Sequence, residues 1–192
     1  MEELKEAIRK RGLVVGDDIV KVDSFLNHRI DVDLSTKMGQ AFREAFKDEV
    51  VDCILTVEAS GIAVAITTAQ AFGNVPVIFA KKGDHRNVGS DVYTADVYSF
   101  THGQLNTVRV SRKYLPAGSR VLIIDDFLAN GEAIEGLRSI VDQANCTLVG
   151  AGVCVEKGFQ PGGKKLRQEG VKVVSLAIVD AIENGKPVLR DD

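Results

Sequence analysis

The segment from Val121 to Ala133 joins an apolar strand to two adjacent acids and a glycine loop, in the order Val-Leu-Ile-Ile-Asp-Asp-Phe-Leu-Ala-Asn-Gly-Glu-Ala. Asp125 and Asp126 can accept hydrogen bonds from sugar hydroxyls, and they can hold a hydrated Mg²⁺ through its water ligands. The backbone amides of residues 129–133 can bind phosphate at the start of a helix. The segment therefore predicts a site for a sugar phosphate; the alternative is an ordinary strand-to-helix turn with an acidic helix start.

Polar residues follow three other apolar runs. They are Ser60 and Gly61, Lys81 and Lys82, and Lys157 with Phe159. Taken alone, the Ser-Gly pair favours a helix N-cap and the two lysines a solvated pair. For Lys157 and Phe159, a surface lysine beside a core phenylalanine is the alternative to a role in binding.

The hydrophobic pattern predicts the elements that position these residues. Short apolar runs predict strands at Cys53–Val57, Val75–Ala80, Val121–Ile124, Leu148–Val155 and Val171–Ala177. Apolar residues at helical spacing predict helices at residues 2–11, Leu34–Lys47, Ile62–Phe72 and Glu132–Gln143. This alternation indicates a single α/β domain over residues 1–192, with a mostly parallel central sheet flanked by helices. Ligands of such sheets bind at the carboxyl ends of the strands, where the polar residues lie.

The segment from Lys81 to Asp91 interrupts the alternation. It is polar and contains glycine, and we expect a long loop of the kind that often forms a lid over an active site. His85 and Arg86 lie within it.

The composition indicates an ordinary globular protein of the cytoplasm. The chain has 192 residues, 45% of them hydrophobic and 27% charged. Its net charge of −3 argues against a general nucleic-acid or membrane-surface binder. Cys53, Cys146 and Cys154 lack the paired spacing of a zinc or redox motif. The chain opens without the pattern of a signal peptide, and no apolar run reaches membrane-spanning length.

The strand, paired acids and glycine loop resemble the phosphoribosyl pyrophosphate (PRPP) signature of the type I phosphoribosyltransferases. The resemblance covers almost the whole chain and is nearest to the bacterial xanthine phosphoribosyltransferases. It rests also on Val20–His28, which looks like their hood over the base, and on Thr94–Phe100. It implies the type I phosphoribosyltransferase fold, with residues 1–33 contributing to the hood, and transfer of phosphoribose to xanthine in a homodimer.

The resemblance also assigns roles to individual residues. Asp125 and Asp126 bind the ribose hydroxyls, while Ala129, Asn130, Gly131, Glu132 and Ala133 hold the 5′-phosphate. Ser60, Gly61, Lys81 and Lys82 contact the pyrophosphate, and Val20, Asn27, Lys157 and Phe159 contact the base. Mg²⁺ is held by PRPP and water, with no direct protein ligand. Many members of the family have threonines in the phosphate loop, and this sequence has none.

Two other functions remain open at this point. Some purine repressors are non-catalytic PRPP-binding proteins of this fold, but they carry an N-terminal DNA-binding domain and a basic surface. About thirty residues precede the second helix here, too few for a winged helix, and the pI is near 5.7. Adenine phosphoribosyltransferase is the other alternative, against which Lys157 argues. A nucleotide-binding module of another fold is more distant.

Overall fold

The computed structural model describes residues 1–16, 19–83, 91–99 and 104–191, and an eight-stranded sheet forms its centre. The strands are β1 (Leu13–Val15), β2 (Ile19–Lys21), β3 (Cys53–Val57), β4 (Val77–Lys82), β5 (Val92–Ser99), β6 (Gln104–Ser111), β7 (Arg120–Leu128), β8 (Thr147–Lys157), β9 (Val173–Glu183) and β10 (Lys186–Leu189). The helices are α1 (Glu2–Arg11), α2 (Val32–Ala45), α3 (Gly61–Ala71), α4 (Glu132–Gln143) and α5 (Gly162–Gln168).

The sheet order is β10-β9-β8-β7-β3-β4-β6-β5, and the five central strands from β9 to β4 are parallel. The outer strands β10, β6 and β5 pair antiparallel to their neighbours. Two hydrophobic clusters contain the core, and the apolar faces of the helices pack in them. The predicted α/β fold with a mostly parallel sheet is confirmed.

The structure corrects several predicted boundaries. Strand β7 continues past the predicted end at Ile124 to Leu128, because its backbone stays paired with β8 as far as Glu156. Both acids therefore lie inside the strand rather than after it. Helix α4 has the predicted bounds. Helix α2 begins and ends two residues earlier than predicted. It begins earlier because Asp31 caps it by accepting a hydrogen bond from Leu34 N at 3.2 Å.

The antiparallel hairpin of β5 and β6 was not predicted. Its strands alternate polar and apolar residues, and so do not form the continuous apolar runs by which buried parallel strands are recognised. Most of the predicted lid, including His85 and Arg86, lies outside the described residues.

The N-terminal residues pack onto the sheet rather than standing apart from it. Helix α1 buries Leu4 and Ile8 in the cluster that also contains Phe42 of α2. The hairpin of β1 and β2 is followed by a π-helical turn, Asp23–Asn27, whose Phe25 is fully buried. Within the described ranges, none of the helices combines the length and apolar character needed to cross a bilayer.

Candidate active site

Asp125 and Asp126 are buried carboxyl groups in the middle of the molecule. Asp125 is 4% exposed and Asp126 is 7% exposed. The backbone amide of Asp126 donates to Asp125 Oδ1 at 3.0 Å. Burial, followed by repulsion from Asp126, raises the pKa of Asp125 well above its ordinary value. The pair is therefore an acceptor-rich site that favours hydroxyl donors or a cation.

We expect Asp125→Asn to raise the melting temperature of the ligand-free protein at neutral pH. A carboxyl whose folded pKa lies above its unfolded value stabilises the fold at low pH, and this contribution is lost as the pH rises through the folded pKa. The melting temperature of the variant minus that of the wild type should therefore grow as the pH rises from about 4, the ordinary pKa of an aspartate, and thermal unfolding at a series of pH values measures this difference.

Asp52 supplies a control of opposite sign. Hydrogen bonds from the Arg120 side chain and backbone lower the pKa of Asp52 to about 2. Asp52→Asn should therefore lower the melting temperature at neutral pH, and this loss should disappear as the pH falls towards 2. Equal pH dependence of wild type and Asp125→Asn would contradict the prediction for Asp125.

The turn between β3 and α3 lies directly against the acid pair. A Cβ atom added at Gly61 would overlap Thr56 Oγ1 and would lie 3.0 Å from Asp125 Oδ1, so only glycine allows this approach. Ser60 occupies the N-cap position, but its side chain makes no capping hydrogen bond. The peptide bond between Glu58 and Ala59 in this turn is cis. Because the Ser60 side chain makes no capping hydrogen bond, the interpretation of Ser60 as a helix N-cap loses its main support.

The glycine loop connects the end of β7 to the start of α4. Gly131 has a φ of 99°, in the left-handed region that favours glycine. The amide of Gly162, the first residue of α5, donates to Ala129 O at 3.1 Å. The loop is therefore fixed between two helix starts, and its amides precede the N-terminus of α4, where an anion is favoured.

A cavity of about 500 Å³ opens beside this loop. Seven of the predicted site residues line it: Lys82, Ala129, Asn130, Gly131, Glu132, Ala133 and Lys157. The two lysines of β4 have different surroundings: Lys82 lines this cavity, whereas Lys81 lines a second cavity with Phe79. Side chains alternate along a strand, which separates the two neighbours. Lys82 also opposes the rise in the pKa of Asp125, which puts its charge close to the acids.

The N-terminal hairpin and turn approach the same site. The Asn27 side chain donates from Nδ2 to Asp126 Oδ2 at 3.1 Å, across 99 positions of sequence. The Val20 side chain is 5% exposed and belongs to the hydrophobic core, whereas its neighbour Ile19 lines the cavity. The structure thus brings Asn27 to the acid pair, and it points the Val20 side chain into the core.

Lys157 ends β8, and a tight turn follows it. The amide of Gln160 donates to Lys157 O at 2.9 Å. Phe159 is 39% exposed, so its ring is not the core residue that one interpretation of the sequence predicted. On the other face of β8, the buried Glu156 accepts two hydrogen bonds from Arg167, at 2.8 and 2.7 Å, and one from Ser175. Burial raises the pKa of Glu156, but the bonds from Arg167 and Ser175 outweigh burial and lower it.

The cavity is also lined by three polar residues to which no role was assigned from the sequence. They are Tyr98 and Asn106 on the β5–β6 hairpin, and Gln160. The hydrophobic pattern did not place Tyr98 and Asn106, because it did not predict the hairpin; Tyr98 does lie within Thr94–Phe100, one of the segments that carry the resemblance. Gln160 was recognisable as a polar residue immediately before the Pro-Gly-Gly that starts α5.

The acid pair fits a cation that is held mainly by another ligand. Among the described residues, no three His, Cys, Asp or Glu side chains cluster closely enough to bind a metal ion by themselves. Two adjacent buried carboxylates would nevertheless attract a hydrated Mg²⁺ that a diphosphate already coordinates. The amides of the loop, the two acids and Lys82 can therefore bind a ligand that carries phosphate and hydroxyl groups.

Comparison with known proteins agrees with this geometry. Xanthine phosphoribosyltransferases from Alkaliphilus metalliredigens and Ruminiclostridium cellulolyticum are 53% and 55% identical, over 100% and 97% of this chain and 95% and 97% of theirs. The Saccharomyces cerevisiae adenine phosphoribosyltransferase, crystallised with an imino-altritol bisphosphate and adenine, shares the fold with a TM-score of 0.74 at 22% identity, over 92% of this chain and 99% of that one.

The family described as phosphoribosyl transferase domain matches residues 21–192, which include the acid pair, the glycine loop and Lys157. The predicted resemblance to the type I phosphoribosyltransferases, and within them to the bacterial xanthine phosphoribosyltransferases, is confirmed by these matches. The chain belongs to the phosphoribosyl transferase family.

Proposed function

We propose that this protein transfers the phosphoribosyl group of PRPP to xanthine, releasing pyrophosphate and forming XMP. The observation that carries the proposal is one cavity lined by the phosphate loop, Lys82 and Lys157, in which the charge of Lys82 also acts on Asp125. The curated relatives, which are named xanthine phosphoribosyltransferases, support xanthine as the base.

The reaction is a displacement at the anomeric carbon. A ring nitrogen of the base forms a bond to this carbon, and the bond to the pyrophosphate oxygen breaks with its electron pair leaving on pyrophosphate. Positive charge develops on the ribose and negative charge on the leaving group. The protein needs no nucleophile of its own, because holding both reactants and stabilising the departing charge suffice.

Each group of the site has a part in this reaction. Asp125 and Asp126 accept hydrogen bonds from the ribose hydroxyls, and the amides of the glycine loop hold the 5′-phosphate. The backbone turn at Ser60 and Gly61 faces the pyrophosphate, whose departing charge Lys82 stabilises. Asp125 and Asp126 would hold a Mg²⁺ through its water ligands, and the ion would further neutralise the charge of the pyrophosphate.

The base is recognised through its exocyclic oxygens. Lys157 donates to the oxygen at C6, which xanthine, guanine and hypoxanthine share and adenine lacks. The exposed ring of Phe159 stacks on the base. The Asn27 amide donates to the oxygen at C2, which distinguishes xanthine from guanine, whose C2 group is itself a donor. Hypoxanthine has no group at C2 and would leave the amide without a partner.

The test is a comparison of bases. The protein is incubated with PRPP, Mg²⁺ and xanthine, guanine, hypoxanthine, adenine or uracil in turn, and pyrophosphate release is measured. We expect kcat/KM to fall from xanthine to guanine or hypoxanthine by about 5- to 150-fold, the effect of one unpaired polar group. Adenine should be poorer still. A preference for adenine would contradict the role of Lys157, and binding of PRPP without turnover on any base would favour a sensor.

We also propose that the protein is a homodimer in the cytoplasm; this part of the proposal is supported only by the resemblance to the family. Sedimentation at several protein concentrations tests the oligomeric part.

A further inference from the structure

Asn27 and Asp126 form a direct bond between the two halves of the site. Asn27 ends the π-helical turn of the N-terminal segment, whereas Asp126 lies in the central strand β7. The bond from Asn27 Nδ2 to Asp126 Oδ2 is 3.1 Å long. Asn27 is exposed and Asp126 is buried, so the bond holds the end of the N-terminal turn beside the buried acid.

Both partners of this bond are needed elsewhere when substrates are present. Under the proposed function, Asp126 accepts a hydrogen bond from a ribose hydroxyl, and Asn27 donates to the C2 oxygen of xanthine. In the structure, the Asn27 amide and the Asp126 carboxylate are instead hydrogen-bonded to each other. A ribose hydroxyl that donates to Asp126 Oδ2 competes with the Asn27 amide for the same oxygen, and the released amide then becomes available to the base.

We propose that Asn27 couples the ribose site to the base site, because its amide moves from Asp126 to the base when a ribose occupies the acid. This inference rests on the proposed function. Xanthine binding to the free protein must break the bond to Asp126, whereas xanthine binding to the ribose-occupied protein does not. Each ligand therefore increases the affinity for the other, by the same factor in both directions.

The experiment measures this factor without turnover. Ribose 5-phosphate carries the ribose hydroxyls and the phosphate of PRPP but lacks the pyrophosphate leaving group. Calorimetric titration gives the Kd of xanthine with and without saturating ribose 5-phosphate. In the wild type we expect ribose 5-phosphate to tighten xanthine binding by about 5- to 150-fold, the usual range of coupling between two sites. Inorganic phosphate, which fills the phosphate loop but presents no hydroxyl groups to Asp126, should leave the Kd of xanthine unchanged.

The variant Asn27→Ala separates coupling from a structural role. Without the competing amide, Asp126 is available from the start, so the variant should bind ribose 5-phosphate alone more tightly than wild type, by about 5-fold or more. Its affinity for xanthine should fall and should no longer respond to ribose 5-phosphate. A side chain that merely fastens the N-terminal segment would not tighten ribose 5-phosphate binding when removed. His28→Ala, at the exposed neighbouring residue, is the control and should keep the wild-type coupling.

The outcomes distinguish this inference from the proposed function. Equal or weaker binding of ribose 5-phosphate to Asn27→Ala, compared with wild type, overturns the coupling even when xanthine turnover is intact. Wild type that binds ribose 5-phosphate but neither binds nor converts xanthine overturns the proposed function. If Asn27→Ala binds xanthine too weakly for titration, its affinity for ribose 5-phosphate alone still decides the question.

Discussion

Replacing both acids, Asp125→Asn with Asp126→Asn, should lower kcat by at least about 10³-fold, since a single contact to developing charge is often worth 10²–10³ in kcat. The asparagine amides have nearly the same size as the carboxyl groups, but they bring donors to positions where the ribose hydroxyls need acceptors. Removing the repulsion between two buried acids should not disturb the fold. The measurement is pyrophosphate release from PRPP and xanthine, together with the circular dichroism and melting temperature of the variant.

Asp52→Asn is the matched control for this loss. Asp52 immediately precedes β3, and it binds Arg120 at the start of β7, the opposite end of that strand from the acid pair. Its replacement should leave kcat near the wild-type value. Near wild-type turnover in the double acid variant would mean that the pair does not hold the ribose, and the assignment of the PRPP site would be wrong.

Lys157→Met should lower kcat/KM for xanthine, guanine and hypoxanthine alike, by about 10- to 150-fold, because a hydrogen bond from a charged group contributes roughly 1.5–3 kcal/mol. Methionine keeps most of the side-chain length and fills the same space without a charge. Since the three bases share the C6 oxygen, their ranking should not change. The measurement is kcat/KM for each base at saturating PRPP.

Lys164→Met provides the control, because Lys164 is an exposed lysine on the neighbouring helix α5. Its replacement should leave kcat/KM unchanged for xanthine, guanine, hypoxanthine and adenine. A loss confined to one oxopurine, or a loss that is as large for PRPP binding as for the base, would place Lys157 elsewhere in the site.

Continuous apolar runs made the centre of the fold predictable. Strands β3, β7 and β8 are buried along most of their length, so their sequences are nearly uninterrupted in hydrophobicity. All five parallel strands were predicted with starts within two residues of the observed ones, but the predicted ends of β7 and β9 were four and six residues short. The ends were less accurate, as β7 shows. Backbone pairing with β8 keeps Asp125 and Asp126 in an extended strand, although their side chains alone suggested that the strand had ended.

The site was predictable where one segment contains a whole chemical function. The glycine loop and the acid pair are such segments, and the structure keeps their members together. The surroundings were not predictable, because they depend on contacts between distant segments. The bond between Asn27 and Asp126 and the position of Tyr98 in the cavity are both of this kind. Strand β4 continues through Lys81 and Lys82, so the two side chains point to opposite faces of the sheet. The strand predicted from the sequence ended at Ala80, so it could not be predicted that the two lysines line different cavities.

The ion pair between the buried Glu156 and the more exposed Arg167 determines which residue of β8 faces the cavity. Side chains alternate along the strand, so sliding β8 by one position would exchange the two faces. Lys157 would then meet Arg167, and Glu156 would enter the cavity that is proposed to bind the base and the phosphates. Both positions would bring like charges together, and the Glu156 carboxylate would lose the partners that offset its burial. Arg167 therefore fixes the alignment of the strand and, through it, the sign of the charge that β8 places in the cavity.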